Sequence, residues 1–480
     1  PATPSELALP LPISFRQRAW VPLVLFLADV AALELALYLG WLTRRALTPW
    51  FPDQIGLSQL QALSVAVLIF PLFQALRGAY PAYGTDPVTR LRERTYATLF
   101  FFGGLVLWDY LLYGGRWARG VLLITAVYAL ALGCLADALV REVLVRLRLW
   151  GKPVVILGAA QTGALLARLL AEQPGIGWVP VAFLDDDPQK QGERIEGIPV
   201  MGTLADCDEW ARRVRVAIVA MPGAGRDRLC QLVSDLRFPH VILVPDLLGL
   251  ETLWIQGKDI GGVLGLEIRK NLFLRKNRVV KRTLDYALGI PIALVSLPLI
   301  AFFALAIKVV SPGPAFFVQE REGEGGRPIR VWKLRTMYPD AEARLERYLQ
   351  ENPKARREWE EFFKLKDDPR ILPGIGSFLR KSSLDELPQI WNVLAGQMSL
   401  VGPRPFPAYH LKAFPQEFRA LRRRVRPGIT GLWQVSARSD GDLEVQEALD
   451  TYYIRNWSIW LDLYILARTI LVVLGGRGAY

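Results

Sequence analysis

The stretch PVVILGAAQTGALLARLL, residues 153–170, marks the point at which the chain changes character. Its first five residues form an apolar run rich in β-branched side chains, which is typical of a buried strand. QTGALLARLL (161–170) has the spacing of an amphipathic helix, and the glycine-containing turn GAAQTG (158–163) joins the two segments. A strand, a glycine turn and a helix in this order predict a parallel α/β domain.

Three further apolar runs continue the alternation of strands and helices along the chain. They are VPVAFL (179–184), VAIVA (216–220) and VILV (241–244). Short apolar strands separated by helical segments are typical of a parallel sheet. We therefore predict a Rossmann-like α/β domain over residues 151–265.

The turn GAAQTG resembles the dinucleotide-binding fingerprint, but Ala160 stands where that fingerprint has its middle glycine. Its methyl group would oppose a close approach of pyrophosphate to the backbone. Asp185, at the end of the second strand, is suitably placed for a ribose hydroxyl. The residues leave two interpretations open: a bound nucleotide-like ligand, or a fold kept for structure and regulation. No Tyr-x-x-x-Lys motif follows, which disfavours a working dehydrogenase.

Before this domain the chain is dominated by apolar stretches of roughly 20 residues, which suits a hydrocarbon core about 30 Å thick. Tryptophan and tyrosine lie mostly near the ends of these stretches, as interfacial anchors do. We predict a four-helix transmembrane bundle over residues 1–150, with spans at residues 20–42, 58–77, 95–114 and 119–140.

Arginine is moderately biased towards one set of loops, which predicts that the N-terminus and residue 150 lie on the cytoplasmic side. The α/β domain that follows is then cytoplasmic. Asp29 and Glu34 lie inside the first span. An ionisable residue at such a depth is a functional candidate, and a structural role inside the bundle is an equal alternative.

The composition agrees with a membrane protein that handles phosphorylated ligands. Of 480 residues 52% are hydrophobic, the mean hydropathy is +0.22 and the net charge is +12. Nucleic acid is a disfavoured partner because the chain has no zinc-finger, homeodomain or RNA-recognition signature. With only two histidines, a histidine metal site and a Ser-His-Asp triad are disfavoured. Acid–base chemistry must come from carboxylates, lysine or tyrosine.

A fifth long apolar run, LDYALGIPIALVSLPLIAFFALAI (284–307), follows a basic amphipathic connector at 266–282. Its length would allow it to span the bilayer. Pro291, Pro298 and Ser296 interrupt it, and proline removes a backbone hydrogen bond and can kink a helix. A spanning helix and a re-entrant helix–break–helix both remain open from the residues alone.

The C-terminal region carries the candidate chemistry. Residues 314–337 predict a strand, a glycine-rich turn and a strand that delivers Lys333 and Arg335. In SSLDELPQ (382–389), Asp385 and Glu386 are adjacent carboxylates. They could form the first turn of a helix, favoured by its dipole, or they could do chemistry.

Local structure does not account for Asp385 as a helix cap. Ser383 and Glu386 have capping-box spacing, but a cap at Ser383 places Pro388 at the fifth helical position, where proline is poorly tolerated. A cap at Asp385 places Pro388 third, where the backbone donor that a capping Asp often uses is missing. The Asp385 side chain is then left partly without a partner.

Basic residues around the dyad supply more positive charge than the two carboxylates need. Arginine and lysine clusters bind phosphate oxygens, and adjacent carboxylates would hold a divalent cation such as Mg²⁺ that bridges those phosphates. The candidate phosphate-binding residues are Arg380, Lys333, Arg335, Arg404 and Arg426.

The ordered succession of motifs in this region resembles the bacterial sugar transferases, the polyprenyl-phosphate hexose-1-phosphate transferases or monotopic phosphoglycosyl transferases. The resemblance covers nearly all of residues 275–480, and the whole chain resembles the long form of the family, typified by undecaprenyl-phosphate galactose or glucose phosphotransferases. The matching motifs are KLRTM (333–337), KDDPRI (366–371), LRKSSLDELPQIWNVLAGQMSLVGPRP (379–405), RPGITGLWQVSARS (426–439) and YYIRNWSIWLDLYILARTI (452–470).

The resemblance implies a transfer of hexose-1-phosphate from a UDP-hexose, galactose or glucose, to undecaprenyl phosphate with release of UMP. Asp385 would be the nucleophile that forms a phosphosugar-aspartate. Glu386 would hold Mg²⁺ or assist deprotonation of the acceptor. Arg380, Arg404 and Arg426 would clamp phosphates, with Lys333 and Arg438 as further candidates.

The family implies an α+β monotopic catalytic domain, here residues 266–480, with a re-entrant membrane helix near 284–307. Its active site would face the cytoplasm at the bacterial inner membrane, where the reaction starts O-antigen, capsule or exopolysaccharide assembly. A homodimer is expected from the same resemblance. Two departures are visible: Ala437 replaces the usual glycine, and the usual Ser-Pro at the helix break is Ser296-Leu297-Pro298, which leaves Pro298 as the expected break.

Two competing functions are weaker. A membrane sensor or scaffold with an inert C-terminal domain would be expected to lose the Asp-Glu dyad, which is intact here. A transporter built on the N-terminal spans is disfavoured because those spans show no broken-helix repeats.

Overall fold

A computed structural model describes residues 20–51, 56–113, 119–244, 255–260, 263–268, 272, 274–352, 356, 365, 368–411, 413–436 and 443–474. The chain divides into two compact units, Pro1–Gly249 and Leu250–Tyr480. The first unit holds long apolar helices and a parallel sheet. The domain boundaries expected at residues 150 and 265 stay predictions.

Long apolar helices open the first unit, and their hydrophobic residues pack against one another around Leu33, Leu37 and Val121. They are α1 (Val21–Ala46), α2 (Leu57–Val67), α3 (Ile69–Leu76), α4 (Pro87–Tyr113) and α5 (Arg119–Arg146). The start of α4 is fixed by Asp86, whose Oδ1 accepts hydrogen bonds from the backbone of Val88 and Thr89 at 2.9 Å.

By length and composition, four helices among the described residues could cross a membrane: Val21–Ala46, Gln59–Leu76, Arg119–Arg146 and Arg275–Val310. The third predicted span, 95–114, lies in Pro87–Tyr113, which is not one of these four. Length and composition therefore support three helices of the predicted four-helix bundle.

The second predicted span is divided at Leu68 into α2 and α3. Pro71 explains the division, because it has no backbone N–H to donate to the carbonyl of Val67, four residues earlier.

Within the first span, Asp29 is buried and accepts hydrogen bonds from Arg94 and Tyr80. Glu34 accepts one from Ser64 at 2.9 Å. Both acids thus have partners inside the bundle, in line with the structural alternative.

The parallel α/β sheet is confirmed. Its strands are β1 (Lys152–Leu157), β2 (Trp178–Leu184), β5 (Val216–Val219) and β6 (His240–Leu243), hydrogen-bonded in the order β2-β1-β5-β6 with every pair parallel. The short hairpin of β3 (Arg194–Ile195) and β4 (Ile198–Pro199) follows β2. The intervening helices are α6 (Gln161–Glu172), α7 (Cys207–Arg213) and α8 (Arg226–Asp235).

The carboxylate of Asp185 is bonded within its own domain. Its Oδ2 accepts a hydrogen bond from the backbone of Ala159 at 2.7 Å and lies 3.4 Å from Lys190 Nζ. A side chain at Gly163 would meet the carbonyl oxygen of Gly158 at 2.1 Å, so glycine is needed there for the helix to approach the strand. These contacts hold the turn together, which favours the structural interpretation of this domain.

The second unit is organised around α9, a helix of 36 residues from Arg275 to Val310. The hairpin of β7 (Ile255–Ile260) and β8 (Val263–Ile268) precedes it. The hairpin of β9 (Phe316–Glu322) and β10 (Pro328–Leu334) follows it, which confirms the predicted strand, glycine-rich turn and strand.

Helix α9 contains Pro291 and Pro298 and continues through both. The expected break at Pro298 is therefore not observed. A proline removes one backbone hydrogen bond, and a helix in apolar surroundings loses less by giving up that bond than by exposing further polar groups. Ser296 is buried, and its hydroxyl donates to the carbonyl of Ala293 at 3.2 Å.

Both ends of α9 pack against the same body. Near the start, Lys281 Nζ donates to the carbonyl of Val401 at 3.0 Å and to Asp462 at 2.7 Å. Near the end, Ile300 and Ile307 pack in a core with Leu334, Leu372 and Leu379. The face between them is apolar and exposed; Leu294 and Val295 are 69% and 70% exposed.

Short helices and strands complete the unit. They are α10 (Ala341–Glu351), α11 (Ile375–Ser382), α12 (Ile390–Leu394), β11 (Ser399–Val401), α13 (Ala408–Leu411), α14 (Gln416–Arg422), β12 (Gly428–Thr430), α15 (Leu432–Ser436), α16 (Leu443–Asn456) and α17 (Ile459–Leu474). Strands β11 and β12 pair in parallel.

Candidate active site

Three segments of the second unit position the candidate site. A 3₁₀ helix, Leu384–Gln389, carries Asp385 and Glu386 in its first turn. Strand β10, Pro328–Leu334, contacts this 3₁₀ helix along one side. The loop after β11, Ser399–Val401, brings in Arg404.

Ser383 links α11 to the 3₁₀ helix in the left-handed conformation, with φ 57° and ψ 18°. Its side chain makes no capping hydrogen bond, so the capping box considered for Ser383 and Glu386 is not formed. A residue with positive φ reverses the chain direction between two helices. The dyad therefore stands at the start of a new helical segment with its side chains free for other contacts.

Glu386 is held by two cations. Its Oε1 accepts hydrogen bonds from Lys333 Nζ at 2.7 Å and from Arg404 at 3.2 Å. Charge-assisted bonds of this kind are short and strong, and here they join strand β10 and the loop after β11 to the dyad. The carboxylate is ordered by residues 53 and 18 positions away in the sequence.

Asp385 differs from its neighbour in that its carboxylate makes no hydrogen bond with another described residue. The charges of Lys333, Arg380 and Arg404 act to lower its pKa. The guanidinium of Arg380 likewise makes no hydrogen bond or ion pair with another described residue, although its charge also helps to lower the pKa of Asp368. A half-buried carboxylate on which three cations act is a site suited to an anionic ligand.

The two carboxyl groups have pKa values that are driven apart. Burial, and then the charge of Glu386, raise the pKa of Asp385 to about 6, although Lys333, Arg380 and Arg404 oppose this. Burial also acts to raise the pKa of Glu386, but Lys333 and Arg404 outweigh it and lower that pKa to about 2. At neutral pH both are ionised, and Asp385 is the more basic. Such a division separates the roles of paired carboxylates.

Two of the remaining predicted residues, Arg335 and Arg426, are not brought to the dyad. Arg335 is buried and donates to the carbonyls of Ser311 at 2.7 Å and Pro312 at 3.0 Å, so its contacts are structural. Arg426 lies 3.1 Å from Glu324, in a different cavity. Arg438 lies outside the described residues.

The carboxylates of the dyad fit Mg²⁺ only if a substrate phosphate supplies further oxygen ligands. No group of three or more His, Cys, Asp or Glu side chains that could hold a metal ion occurs among the described residues. Mg²⁺ is usually bound by one or two carboxylates together with substrate phosphates and water. Both oxygens of Asp385 and Oε2 of Glu386 have no hydrogen bond with a described residue. The dyad therefore fits a Mg²⁺ shared with a bound phosphate.

Comparisons with known proteins agree with this geometry. Residues 276–476 match the family described as bacterial sugar transferase. Over 375 residues the chain is 34% identical to the undecaprenyl-phosphate galactose phosphotransferase of Salmonella typhimurium, which covers 76% of this chain and 77% of that protein. The chain belongs to the bacterial sugar transferase family. The resemblance found in the sequence is thereby confirmed.

Other members of the bacterial sugar transferase family align over most of their length. The UDP-galactose-lipid carrier transferase of Erwinia amylovora is 34% identical over 374 residues, 76% of each chain. The UDP-glucose:undecaprenyl-phosphate glucose-1-phosphate transferase of Escherichia coli is 33% identical over 336 residues, 68% of each chain. Residues 77–245 match a second family, described as a CoA-binding domain. That match includes helices α4 and α5 as well as the parallel sheet.

Two residues that the sequence analysis did not single out hold this transferase site in shape. Asn392 is buried in α12, where its Oδ1 accepts from the backbone of Trp332 at 3.2 Å and its Nδ2 donates to the carbonyl of Arg330 at 2.7 Å. It thus ties the dyad segment to the strand that carries Lys333. A single asparagine inside the apolar run IWNVL (390–394) is the sequence feature that indicates a buried polar contact here.

Arg422 holds the backbone of Arg404 in place. It is buried, donates to the carbonyl of Arg404, and lies 2.9 Å from Asp450 Oδ2. Its guanidinium lies 4.7 Å from the ring centroid of Phe406. The Arg404 backbone is therefore fixed by a buried ion pair, and no local sequence pattern indicates this.

Proposed function

We propose that this sugar transferase moves hexose-1-phosphate from a UDP-hexose to undecaprenyl phosphate, releases UMP, and passes through a phosphosugar bonded to Asp385. The observation that carries the proposal is the pair of contrasting carboxylates. Glu386 is held by Lys333 and Arg404, while Asp385 has no hydrogen bond with a described residue and is subject to the charges of Lys333, Arg380 and Arg404.

In the first half-reaction a carboxylate oxygen of Asp385 attacks the β-phosphorus of the UDP-hexose. A phosphorus–oxygen bond forms to Asp385, the bond to the bridging pyrophosphate oxygen breaks, and UMP leaves with that electron pair. The raised pKa of Asp385, about 6, makes its carboxylate more basic than an ordinary one while it stays ionised at neutral pH. Covalent catalysis of this kind replaces one difficult transfer by two easier ones.

In the second half-reaction a phosphate oxygen of undecaprenyl phosphate attacks the same phosphorus. The bond to Asp385 breaks and the carboxylate is restored, so the product is undecaprenyl diphosphate hexose. Lys333, Arg380 and Arg404 would stabilise the negative charge on the transferred group in both steps. Positioned cations are the main contribution a protein makes to phosphoryl transfer.

Glu386 suits the metal-partner role better than the role of a base. A carboxylate whose pKa is lowered to about 2 accepts a proton poorly at neutral pH. With Asp385 it would hold Mg²⁺ against the substrate phosphates, where the ion supplies charge neutralisation. The contacts of Glu386 with Lys333 and Arg404 would also keep the dyad in register.

The contacts of α9 support a re-entrant placement of this helix at the inner membrane. Polar groups near its start, Lys281 and Asp285, and apolar groups near its end, Ile300 and Ile307, pack on one body. A helix that crossed the bilayer would carry part of that body into hydrocarbon, where its polar backbone would be costly. A helix embedded from one side by its exposed face avoids this and leaves the dyad with the cytoplasmic UDP-hexose.

The test is to incubate purified protein with Mg²⁺ and either UDP-galactose or UDP-glucose, with and without undecaprenyl phosphate, and to measure UMP. We expect turnover that depends on the acceptor with one or both sugars. The names of the relatives point to both hexoses, so the panel also decides between them. Turnover by an Asp385→Asn variant at the wild-type rate would rule out the proposed nucleophile.

A further inference from the structure

A cavity of about 280 Å³ lies between the first turns of α9 and the segment before strand β12. Six cationic side chains and two carboxylates, Asp285 and Glu324, line it, so positive groups exceed negative ones by four. We call it the basic cavity. Its cationic side chains are those of Arg275, Arg278, Lys281, Arg282, Arg424 and Arg426.

The basic cavity is separate from the dyad. Strands β11 and β12 run parallel, with Ser399 opposite Gly428. Ser399 and Arg426, at the start of this strand pair, line the cavity. The cations whose charges act on Asp385, namely Lys333, Arg380 and Arg404, do not line the cavity. Arg426 does line it and pairs there with Glu324.

Two charged groups form the floor and are satisfied from inside the protein. Lys281 is buried and donates to Asp462 at 2.7 Å. Asp285 is buried and accepts hydrogen bonds from the Ser399 hydroxyl and the Leu400 backbone, each at 2.9 Å. Arg282 also has partners inside the protein, since it lies 3.8 Å from Asp285 and donates to the carbonyl of Val393 at 2.8 Å. Apart from these groups, the charged residues that line the cavity are Arg275, Arg278, Arg424, Arg426 and Glu324.

That carboxylate, Glu324, lies between two arginines. It is 3.1 Å from Arg426 and 3.6 Å from Arg278. One carboxylate cannot balance the charges of Arg275, Arg278 and Arg426, and arginines arranged around a cavity bind phosphate through paired hydrogen bonds. An anion that entered the cavity would meet the arginines and would compete with Glu324 for them.

The position of the cavity along α9 indicates where such an anion comes from. Arg275, Arg278 and Arg282 occupy the first two turns of the helix. Exposed apolar side chains begin at the same level, with Val279 59% and Val280 44% exposed, and continue along the helix. When an apolar helix face is embedded in a membrane, basic residues at its end lie at the depth of the lipid phosphates.

We propose that the basic cavity binds the phosphate group of an anionic lipid headgroup. The shared chemistry is a phosphate ester or free phosphate recognised by the guanidinium groups of Arg275, Arg278 and Arg426. This site is distinct from the one at which the transferred phosphates bind, so it stands or falls independently of the proposed transfer reaction.

The experiment uses the full chain purified in a neutral detergent and native mass spectrometry to count bound lipids. Short-chain phosphatidylglycerol, short-chain phosphatidylcholine and inorganic phosphate are titrated separately. We expect phosphatidylglycerol to bind about tenfold more tightly than phosphatidylcholine, since one good hydrogen bond to a charged group has roughly this effect. Competition by inorganic phosphate at millimolar concentration would mean that the cavity takes phosphate itself; without competition, the site is specific for the headgroup.

Variants that weaken or strengthen lipid binding distinguish binding in the basic cavity from general attraction of a basic protein to anionic lipid. The double variant Arg275→Gln, Arg278→Gln should lose the preference for phosphatidylglycerol, while Glu324→Gln should strengthen it severalfold. Arg347→Gln, an exposed arginine of α10 outside the cavity, should leave it unchanged. Equal binding of the two lipids by the wild type, or a preference that survives in the double variant, would overturn the proposal. Because Glu324→Gln should strengthen binding, a folding defect cannot imitate the expected pattern.

Discussion

Two aspartates that the sequence marks as candidate site residues, Asp185 and Asp385, have opposite surroundings in the two units of this transferase. Asp185 follows a strand of the α/β sheet, and its carboxylate accepts from Ala159 and pairs with Lys190. Asp385 opens a 3₁₀ helix, and its carboxylate has no hydrogen bond with a described residue. Both residues were candidates for binding a nucleotide-containing ligand.

The difference is visible in their pKa values. Burial opposes ionisation of both groups, but hydrogen bonds from Ala159 and Asp187, with Lys190, lower the pKa of Asp185. Around Asp385, burial and Glu386 prevail, and the pKa is raised to about 6. A carboxylate stabilised by its own fold contributes to stability, whereas one left without hydrogen bonds is available for chemistry.

The largest expected effect comes from removing the free carboxylate. Asp385→Asn keeps the shape of the side chain but cannot form the phosphosugar bond, so turnover should fall by about 1,000-fold or more. UMP release is the measurement. A loss of turnover below tenfold would show that Asp385, like Asp185, is not the nucleophile.

Replacing Glu386, the neighbour of Asp385, should reduce turnover less than replacing Asp385 does. Glu386→Gln removes a negative charge and weakens the contacts with Lys333 and Arg404, and we expect turnover to fall by about 100-fold. Because the charge of Glu386 raises the pKa of Asp385, the acid limb of the pH profile should move to lower pH. Movement to higher pH would show that Glu386 does not act on Asp385 in this way.

The wild-type pH profile follows from the raised pKa of Asp385. The nucleophile must be ionised, so the rate should be level above about pH 6 and should fall about tenfold per pH unit below it. The rate of UMP release before acceptor is added is the suitable measurement. A limb near pH 4, the usual range of a carboxyl group, would contradict the assigned surroundings of Asp385.

Arg422 tests whether Arg404 must be held in place. Arg422→Lys keeps a charge near Asp450 but loses the forked donor to the Arg404 carbonyl. We expect turnover to fall about fivefold. Because the charge of Arg404 lowers the pKa of Asp385, displacement of Arg404 should move the acid limb to higher pH. A lower rate with an unmoved limb would indicate only a loss of folded protein.

The smallest effect on activity is expected at Asp185, the matched control for Asp385. Asp185→Asn should change turnover by less than about twofold, while weakening the turn at Ala159 by about 1 kcal/mol. Thermal unfolding measured beside UMP release separates the two effects. A large loss of activity with normal stability would show that the α/β domain takes part in the reaction.

Local patterns were enough to predict the sheet and the dyad. The apolar strands have no polar face, and helical segments separate them, so a parallel sheet can be inferred from the sequence alone. Asp385 was singled out because Pro388 leaves it without an ordinary capping role, and Lys333 because the hairpin turn is rich in glycine.

The parts that could not be predicted depend on distant contacts. Lys333 and Arg335 are two positions apart and should point the same way in a strand, but β10 ends at Leu334, and Ser311 and Pro312 bind Arg335 instead. Arg426 pairs with a glutamate about 100 positions earlier, Glu324. No spacing rule reaches so far along the chain.

The continuity of α9 was missed for a different reason. Proline predicts a local loss of one hydrogen bond, and whether the helix then ends depends on what surrounds it. Here the helix packs on the catalytic body at both ends, and these contacts stabilise it on either side of Pro298. The surroundings, which the sequence does not display, decided the outcome.

The most direct test of the central claim is to trap the covalent species. The full chain is mixed with Mg²⁺ and a UDP-hexose without undecaprenyl phosphate, digested, and mapped by mass spectrometry. The proposal predicts a burst of UMP and a peptide containing Asp385 that is heavier by one hexose phosphate, and that loses this mass when undecaprenyl phosphate is added. UMP that appears only when the acceptor is present, with Asp385 unmodified throughout, would contradict it.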